Sequence, residues 1–178
     1  MKKLTIYTVG HSTRSLEQFV ALIQSFAVQT VVDIRTVPRS RTNPQYNIDT
    51  LAESLAEVAI GYCQIVALGG LRNKSKSIAA EVNGFWQNRS FHNYADYALG
   101  DEFDGGLTQL LALAETQHCA IMCAEAVWWR CHRRIVTDYL LMRGVAVVHI
   151  MGLGKANTAT LNPAAKPCGL QLQYPASQ

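Results

Sequence analysis

Leu4-Thr5-Ile6-Tyr7-Thr8-Val9-Gly10-His11-Ser12-Thr13-Arg14-Ser15-Leu16-Glu17-Gln18-Phe19, with a second apolar run at Thr30-Val31-Val32-Asp33-Ile34, decides the fold. Leu4 to Val9 is apolar and β-branched and stops at Gly10, the pattern of a buried strand. Ser15 followed three residues later by Gln18 has the form of a capping box. Leu16, Phe19, Val20, Ile23 and Phe26 then recur at helical spacing. Thr30 to Ile34 is a second strand, and pairing it parallel to the first is the economical closure of so short a strand–helix–strand unit.

The alternation continues outward. Asn47 is placed to cap a helix whose apolar face is Leu51, Leu55 and Val58. Tyr62 to Val66 reads as a third strand, ended by Leu68-Gly69-Gly70. Asn93 to Ala98 is a short helix, and Asp101 caps another carrying Phe103, Leu107, Leu110, Leu111 and Ala114. Cys119 to Cys123 is a fourth strand. A helix through Ile135, Tyr139, Leu140 and Met142 closes at Gly144, and Val145 to Ile150 is a fifth strand. The expectation is an α/β three-layer sandwich: a mostly parallel sheet of about five strands with helices on both faces. We expect one domain over 1–178, with its core in 4–150 and a C-terminal extension, 151–178. In that extension Leu170, Leu172 and Tyr174 alternate like a short edge strand. The segments from Arg35 to Asn47 and from Gly70 to about Phe91 exceed the usual length of a connection, which marks them as functional or mobile.

With 49% hydrophobic and 16% charged residues, composition excludes disorder and coiled coil. No apolar run approaches the roughly 18 residues of a membrane span. The start of the chain lacks the pattern of a secretory signal, and five cysteines do not form an even disulfide framework. A cytoplasmic protein is expected, with Cys63 and Cys119 in the core and no membrane partner. The sequence sets no oligomeric state. The formal net charge of +3 does not by itself argue for nucleic acid, yet Arg35, Arg39, Arg41, Arg72, Lys74, Lys76 and Arg89 all fall in predicted loops.

In an open parallel sheet, ligands bind outside the carboxyl ends of the strands. That rule selects Gly10-His11-Ser12-Thr13-Arg14, Asp33-Ile34-Arg35, Leu68-Gly69-Gly70, Cys123-Ala124-Glu125, and Cys131-His132-Arg133 beyond them. Each group also has a structural reading. His11 and Ser12 could cap a helix, Asp33 could hold loop backbone, Arg35 could pair with Asp33 or Glu125, and Cys123 could be inert core. Of the adjacent Trp128 and Trp129, one packs and the other is free to wall a pocket.

Three chemistries compete. Cys123, at a strand end beside a helix N-terminus, could be a thiolate nucleophile, with Arg133 holding an anion and His132 or His11 carrying protons. That arrangement is similar to rhodanese and phosphatase sites. Those separate cysteine and arginine by five residues, whereas Arg130 follows Cys123 after six. Alternatively, Cys123, Cys131 and His132 could bind a metal with His11 or Glu125, although the spacing is not that of a standard zinc site. Or Asp33 and Glu125 could act as paired carboxylates.

The motifs Gly10-His11-Ser12, Val32-Asp33-Ile34-Arg35, Pro38-Arg39-Ser40, Leu68-Gly69-Gly70, Cys123-Ala124-Glu125 and Cys131-His132-Arg133 together resemble the domain of unknown function 488 family, from about Thr5 to Ile150. The resemblance implies an enzyme-like site of His11, Ser12, Arg14, Asp33, Arg35, Pro38, Arg39, Cys123, Glu125, Cys131, His132 and Arg133. It also implies a suggested link to nucleic-acid metabolism in bacterial and archaeal members, without an assigned activity.

The leading expectation is a hydrolase or transferase acting on a phosphate-bearing substrate, a nucleotide or nucleic acid. Arg35, Arg39, Arg41 and Arg133 would hold phosphate, and Tyr46, Trp86 or Trp128 would stack a base. Ser12 and Arg14 would line the pocket. Glu125 or His132 would serve as acid–base group, with Cys123 as nucleophile. The rivals are a non-catalytic nucleic-acid or modified-nucleotide binding module and a thiol sulfur-transfer or redox protein using Cys123 with Cys131. No cofactor is expected. Gly152-Leu153-Gly154 is too short to count as a dinucleotide fingerprint.

Overall fold

The structure, a computed structural model, describes residues 3–176; residues 1–2 and 177–178 of the expected domain lie outside the described residues. Five strands run parallel: β1 (Thr5–Gly10), β2 (Thr30–Asp33), β3 (Gly61–Gln64), β4 (Cys119–Cys123) and β5 (Ala146–Gly152). A sixth, β6 (Lys155–Thr158), folds back antiparallel on β5, so the sheet order is β3-β2-β4-β1-β5-β6. Five helices cover it: α1 (Leu16–Gln24), α2 (Ile48–Glu57), α3 (Arg89–Tyr97), α4 (Asp101–Ala114) and α5 (Arg133–Met142).

The period of two along each strand distributes the core between the faces. In β4, Cys119, Ile121 and Cys123 join the cluster under α3, α4 and α5, whereas Ala120 and Met122 join the cluster under α1 and α2. This strand is buried throughout and central, as expected of a parallel strand covered on both sides. Its position corrects one expectation. β1 and β2 do not pair with each other; β4 lies between them and pairs with both. The short unit is therefore a crossover over a strand that comes later in the chain.

The last residues also differ from the sequence reading. Leu172 and Tyr174 are buried, but Gln171–Gln173 (β8) pairs with Lys166–Cys168 (β7) in a separate two-stranded ribbon rather than at the sheet edge. The Tyr174 hydroxyl donates to the buried carboxylate of Asp138 at 2.8 Å, which ties this ribbon to α5.

Candidate active site

The helix after β1 covers one face of the sheet and the helix after β4 covers the other. The chain thus diverges at the adjacent carboxyl ends of these two strands, the crevice where an open α/β sheet takes its ligand. Gly10 and Cys123 are register partners there. The loop after β1 is stitched to the end of β4 by His11 N–H to the Cys123 carbonyl (2.9 Å) and Ser12 N–H to the Ala124 carbonyl (3.0 Å). Any Cβ at position 10 would run into the Glu125 carbonyl, so this approach requires glycine.

A cavity of about 500 Å³ opens on this crevice, lined among others by His11, Cys123, Cys131, His132, Arg39 and Arg130. At its floor the two sulfurs lie 3.1 Å apart, and all five cysteines of the chain are free thiols. Cys131 stands just ahead of α5. Its sulfur accepts the Arg133 backbone N–H at 3.3 Å and the Arg133 Nε–H at 3.2 Å. Burial opposes a charged sulfur in both residues. At Cys131 that penalty is outweighed by hydrogen bonds from Cys123 and His132 and by the positive charge of Arg133, which hold this thiol well below the ordinary range. At Cys123 burial dominates, the neighbouring Cys131 adds to it, and the thiol is pushed well above that range. The position at a strand end points to Cys123 as the reactive thiol, and the geometry differs. The helix N-terminus and the arginine serve Cys131 instead, so Cys123 is its protonated neighbour.

Arg133 is fully buried and its guanidinium is committed inward. Nη1 donates to Thr8 Oγ1 (3.2 Å) and Nη2 to the Glu125 carbonyl (2.6 Å). Because Thr8 Oγ1 accepts from Arg133, its own hydrogen points to His149 Nδ1 at 2.6 Å, which leaves the imidazole proton on Nε2. Burial, reinforced by the Arg133 charge, lowers His149 to about 4, so the ring stays neutral. Trp128 stacks on His149, with centroids 4.4 Å apart and planes 6° apart. It therefore packs behind the thiols, away from the main cavity, while Trp129 is exposed.

The remaining predicted residues fall into groups. Asp33 is completely buried; its carboxylate accepts from Arg35 Nε (2.9 Å) and Nη2 (2.7 Å), from the Arg35 backbone N–H (3.0 Å) and from the Tyr62 hydroxyl (2.5 Å). Arg35 lines the cavity, but it is held by Asp33 and by the Tyr46 carbonyl at 2.7 Å. Of the two partners considered for it, Asp33 is the one it has. His11 stacks on Tyr46 at 4.1 Å and donates Nδ1–H to the Ser12 carbonyl at 2.8 Å, so Nε2 carries no proton and accepts from Arg35 Nη1 at 3.4 Å. Burial lowers its pKa to about 4. Ser12, His11 and Glu125 share a smaller hollow of about 260 Å³ beside the main one. Arg14 is spent on the carbonyls of Gly10 and Met151. The His132 ring donates Nε2–H to the Ile34 carbonyl at 2.7 Å and packs against Gly70. Glu125, Arg39 and Arg130 are exposed at the rim; Arg41 is exposed but outside the cavity lining, and Pro38 is half-buried in the same loop. Arg39 meets Asp49 at 3.3 Å, and Arg130 takes part in no ion pair among the described residues.

The structure thus brings His11, Arg35, Arg39, Cys123, Glu125, Cys131 and His132 to one cavity. Arg133 and Asp33 lie beneath it, and Arg14, Arg41 and Trp128 lie away from it. Sequence reasoning missed Thr8 and His149. The available signal was a polar residue inside a strand that is otherwise apolar and buried on both faces. Among the described residues, no three His, Cys, Asp or Glu side chains gather as metal donors.

Fold and crevice together define a doubly covered parallel α/β protein with a paired-thiol pocket at its switch point. The chain belongs to a family known as domain of unknown function DUF488, whose model matches residues 15–140. No curated protein and no solved structure gives a significant match.

Proposed function

We propose that this chain is a thiol-dependent hydrolase or transferase acting on a phosphate-bearing substrate, such as a nucleotide or nucleic acid, with Cys131 as the nucleophile. The observation that carries this reading is the Cys131 sulfur at the cavity floor, held by two N–H groups of Arg133 and in contact with Cys123. A sulfur so placed favours the thiolate, the reactive form. Arg39 and Arg130 at the rim suit phosphate oxygens. Phe91, which lines the cavity and stacks on Trp86 with centroids 4.9 Å apart, offers a face for a base. Cys131 attacks phosphorus, forming an S–P bond as the P–O bond to the leaving group breaks, and Glu125 delivers the proton to that oxygen. Water, or an acceptor hydroxyl in a transferase, then gives its proton to Glu125 and attacks phosphorus; the new P–O bond forms as the S–P bond breaks, and the thiolate returns.

The test is phosphate release from p-nitrophenyl phosphate, nucleoside monophosphates and a short 5′-phosphorylated single strand. The wild type, C131S and R130A proteins would be compared under reducing conditions. We expect C131S to lose activity by about 10³-fold or more and R130A to raise KM chiefly. Tight, salt-sensitive binding with no turnover would instead mark a non-catalytic binding module.

A further inference from the structure

We infer that Cys131 and Cys123 also form a two-cysteine peroxide-reducing couple, in which Cys131 is oxidised first and Cys123 resolves it. The inference shares with the proposed function the assignment of Cys131 as the thiolate, and it uses geometry that phosphate chemistry does not need. A nucleophile that acts on phosphate has no use for a second sulfur at 3.1 Å. That separation is about 1 Å longer than a disulfide bond, so little movement joins the two. Both sulfurs border the cavity, but Cys123 is buried and Cys131 is half-buried, so Cys131 is the one more open to an incoming peroxide and Cys123 is placed to resolve it. Cys131 follows a single 3-10 turn, Trp128–Arg130, whereas Cys123 ends the central strand β4, so Cys131 is the sulfur carried outside the sheet.

The chemistry balances as follows. The Cys131 thiolate attacks the terminal oxygen of a hydroperoxide. An S–O bond forms, the O–O bond breaks, and the departing alkoxide takes a proton from water and leaves as an alcohol, or as water when the substrate is hydrogen peroxide. Cys131 is thereby oxidised to the sulfenic acid, and the peroxide is reduced. Cys123 then gives up its proton and attacks the Cys131 sulfur. The S–S bond forms, the S–O bond breaks, and hydroxide leaves with that proton as water. A dithiol reductant, small or protein-borne, restores both thiols by two exchange steps.

The experiment adds one equivalent of hydrogen peroxide to the reduced full-length protein, with dimedone present as a sulfenic-acid trap, and reads the products by intact and peptide mass spectrometry. The wild type is expected to become two hydrogens lighter, with Cys123 and Cys131 in one linked peptide pair. C123S is expected to carry dimedone on Cys131, and C131S to react no faster than an ordinary free thiol. A sulfenic acid on Cys123, a wild-type rate equal to that of free cysteine, or oxidation without the Cys123–Cys131 link would overturn the inference. Iodoacetamide labelling of the same samples separates the two readings. Fast alkylation of Cys131 without a peroxide reaction removes the redox couple alone. Slow alkylation of Cys131 removes the proposed nucleophile as well.

Discussion

Asp33 closes β2 and Glu125 lies two residues past the end of β4, and folding sends these two carboxylates to opposite environments. Asp33 is sealed under Arg35 and Tyr62, whereas Glu125 faces solvent at the cavity rim. As a buried ion-pair partner, Asp33 holds the loop that begins at Arg35. Asp33→Ala strands that guanidinium and is expected to cost about 3–5 kcal/mol in urea unfolding; a loss below about 1 kcal/mol would contradict the assignment. At the thiols, Thr8 keeps Arg133 aimed at Cys131. Thr8→Val removes that acceptor, and we expect the alkylation midpoint of Cys131 to rise toward the free-thiol value of about 8.5. An unchanged midpoint would show that Arg133 needs no such support. The cysteine, histidine and arginine types were legible in the sequence because strand ends select them. Which thiol is ionised was not, since that depends on where Arg133, two residues beyond Cys131, places its Nε–H.

Among the elements, local chemistry was most readable where a motif closes on itself. Ser15 and Gln18 form the capping box the sequence announces, with both reciprocal bonds present. Ser15→Ala is expected to cost about 1 kcal/mol, measured as a shift in the denaturation midpoint. Asn88 caps α3 through its side chain, so this helix starts four residues before the expected Asn93. Asp101 is the first residue of α4 rather than its cap, which is Gly100. Asn47 occupies the cap position of α2, but its side chain accepts from Ser40 N–H instead and so holds the long loop. β6 carried no readable pattern because all four of its residues are exposed on an edge hairpin, where no face demands apolar side chains. Strand order was illegible for a similar reason. Nothing local to β1 or β2 records that β4 will insert between them. Gly10→Ala probes that junction, and the clash with the Glu125 carbonyl is expected to cost about 1–3 kcal/mol.

Over the whole molecule, three buried groups set the response of stability to pH. His11 and His149 fall to about 4 from 6.5 in the folded chain, and burial raises Asp138 to about 6 from 3.8. Depressed histidines give stability that is present above pH 6.5 and lost as pH falls toward 4. A raised carboxyl works the other way, adding stability as pH falls through about 6. Between these limits the unfolded chain takes up two histidine protons while the folded chain takes up one at Asp138. The net difference of one proton predicts a stability that declines toward acid by about 1.4 kcal/mol per pH unit. Replacing both histidines by asparagine leaves only the Asp138 proton and should reverse that slope, and an unaltered slope would show that other groups carry it. The same global arrangement, with helices leaving β1 and β4 on opposite faces, opens the crevice that brings residues 11, 123 and 131 together. The claim that Cys131 is the ionised thiol of this pair is tested most directly by the rate of iodoacetamide alkylation at each cysteine against pH, read by peptide mass spectrometry on the reduced protein. We predict that Cys131 reacts fast, with a midpoint well below about 8.5, and that Cys123 reacts slowly throughout. A fast, low-midpoint Cys123, or a Cys131 that titrates like an ordinary thiol, would contradict the account.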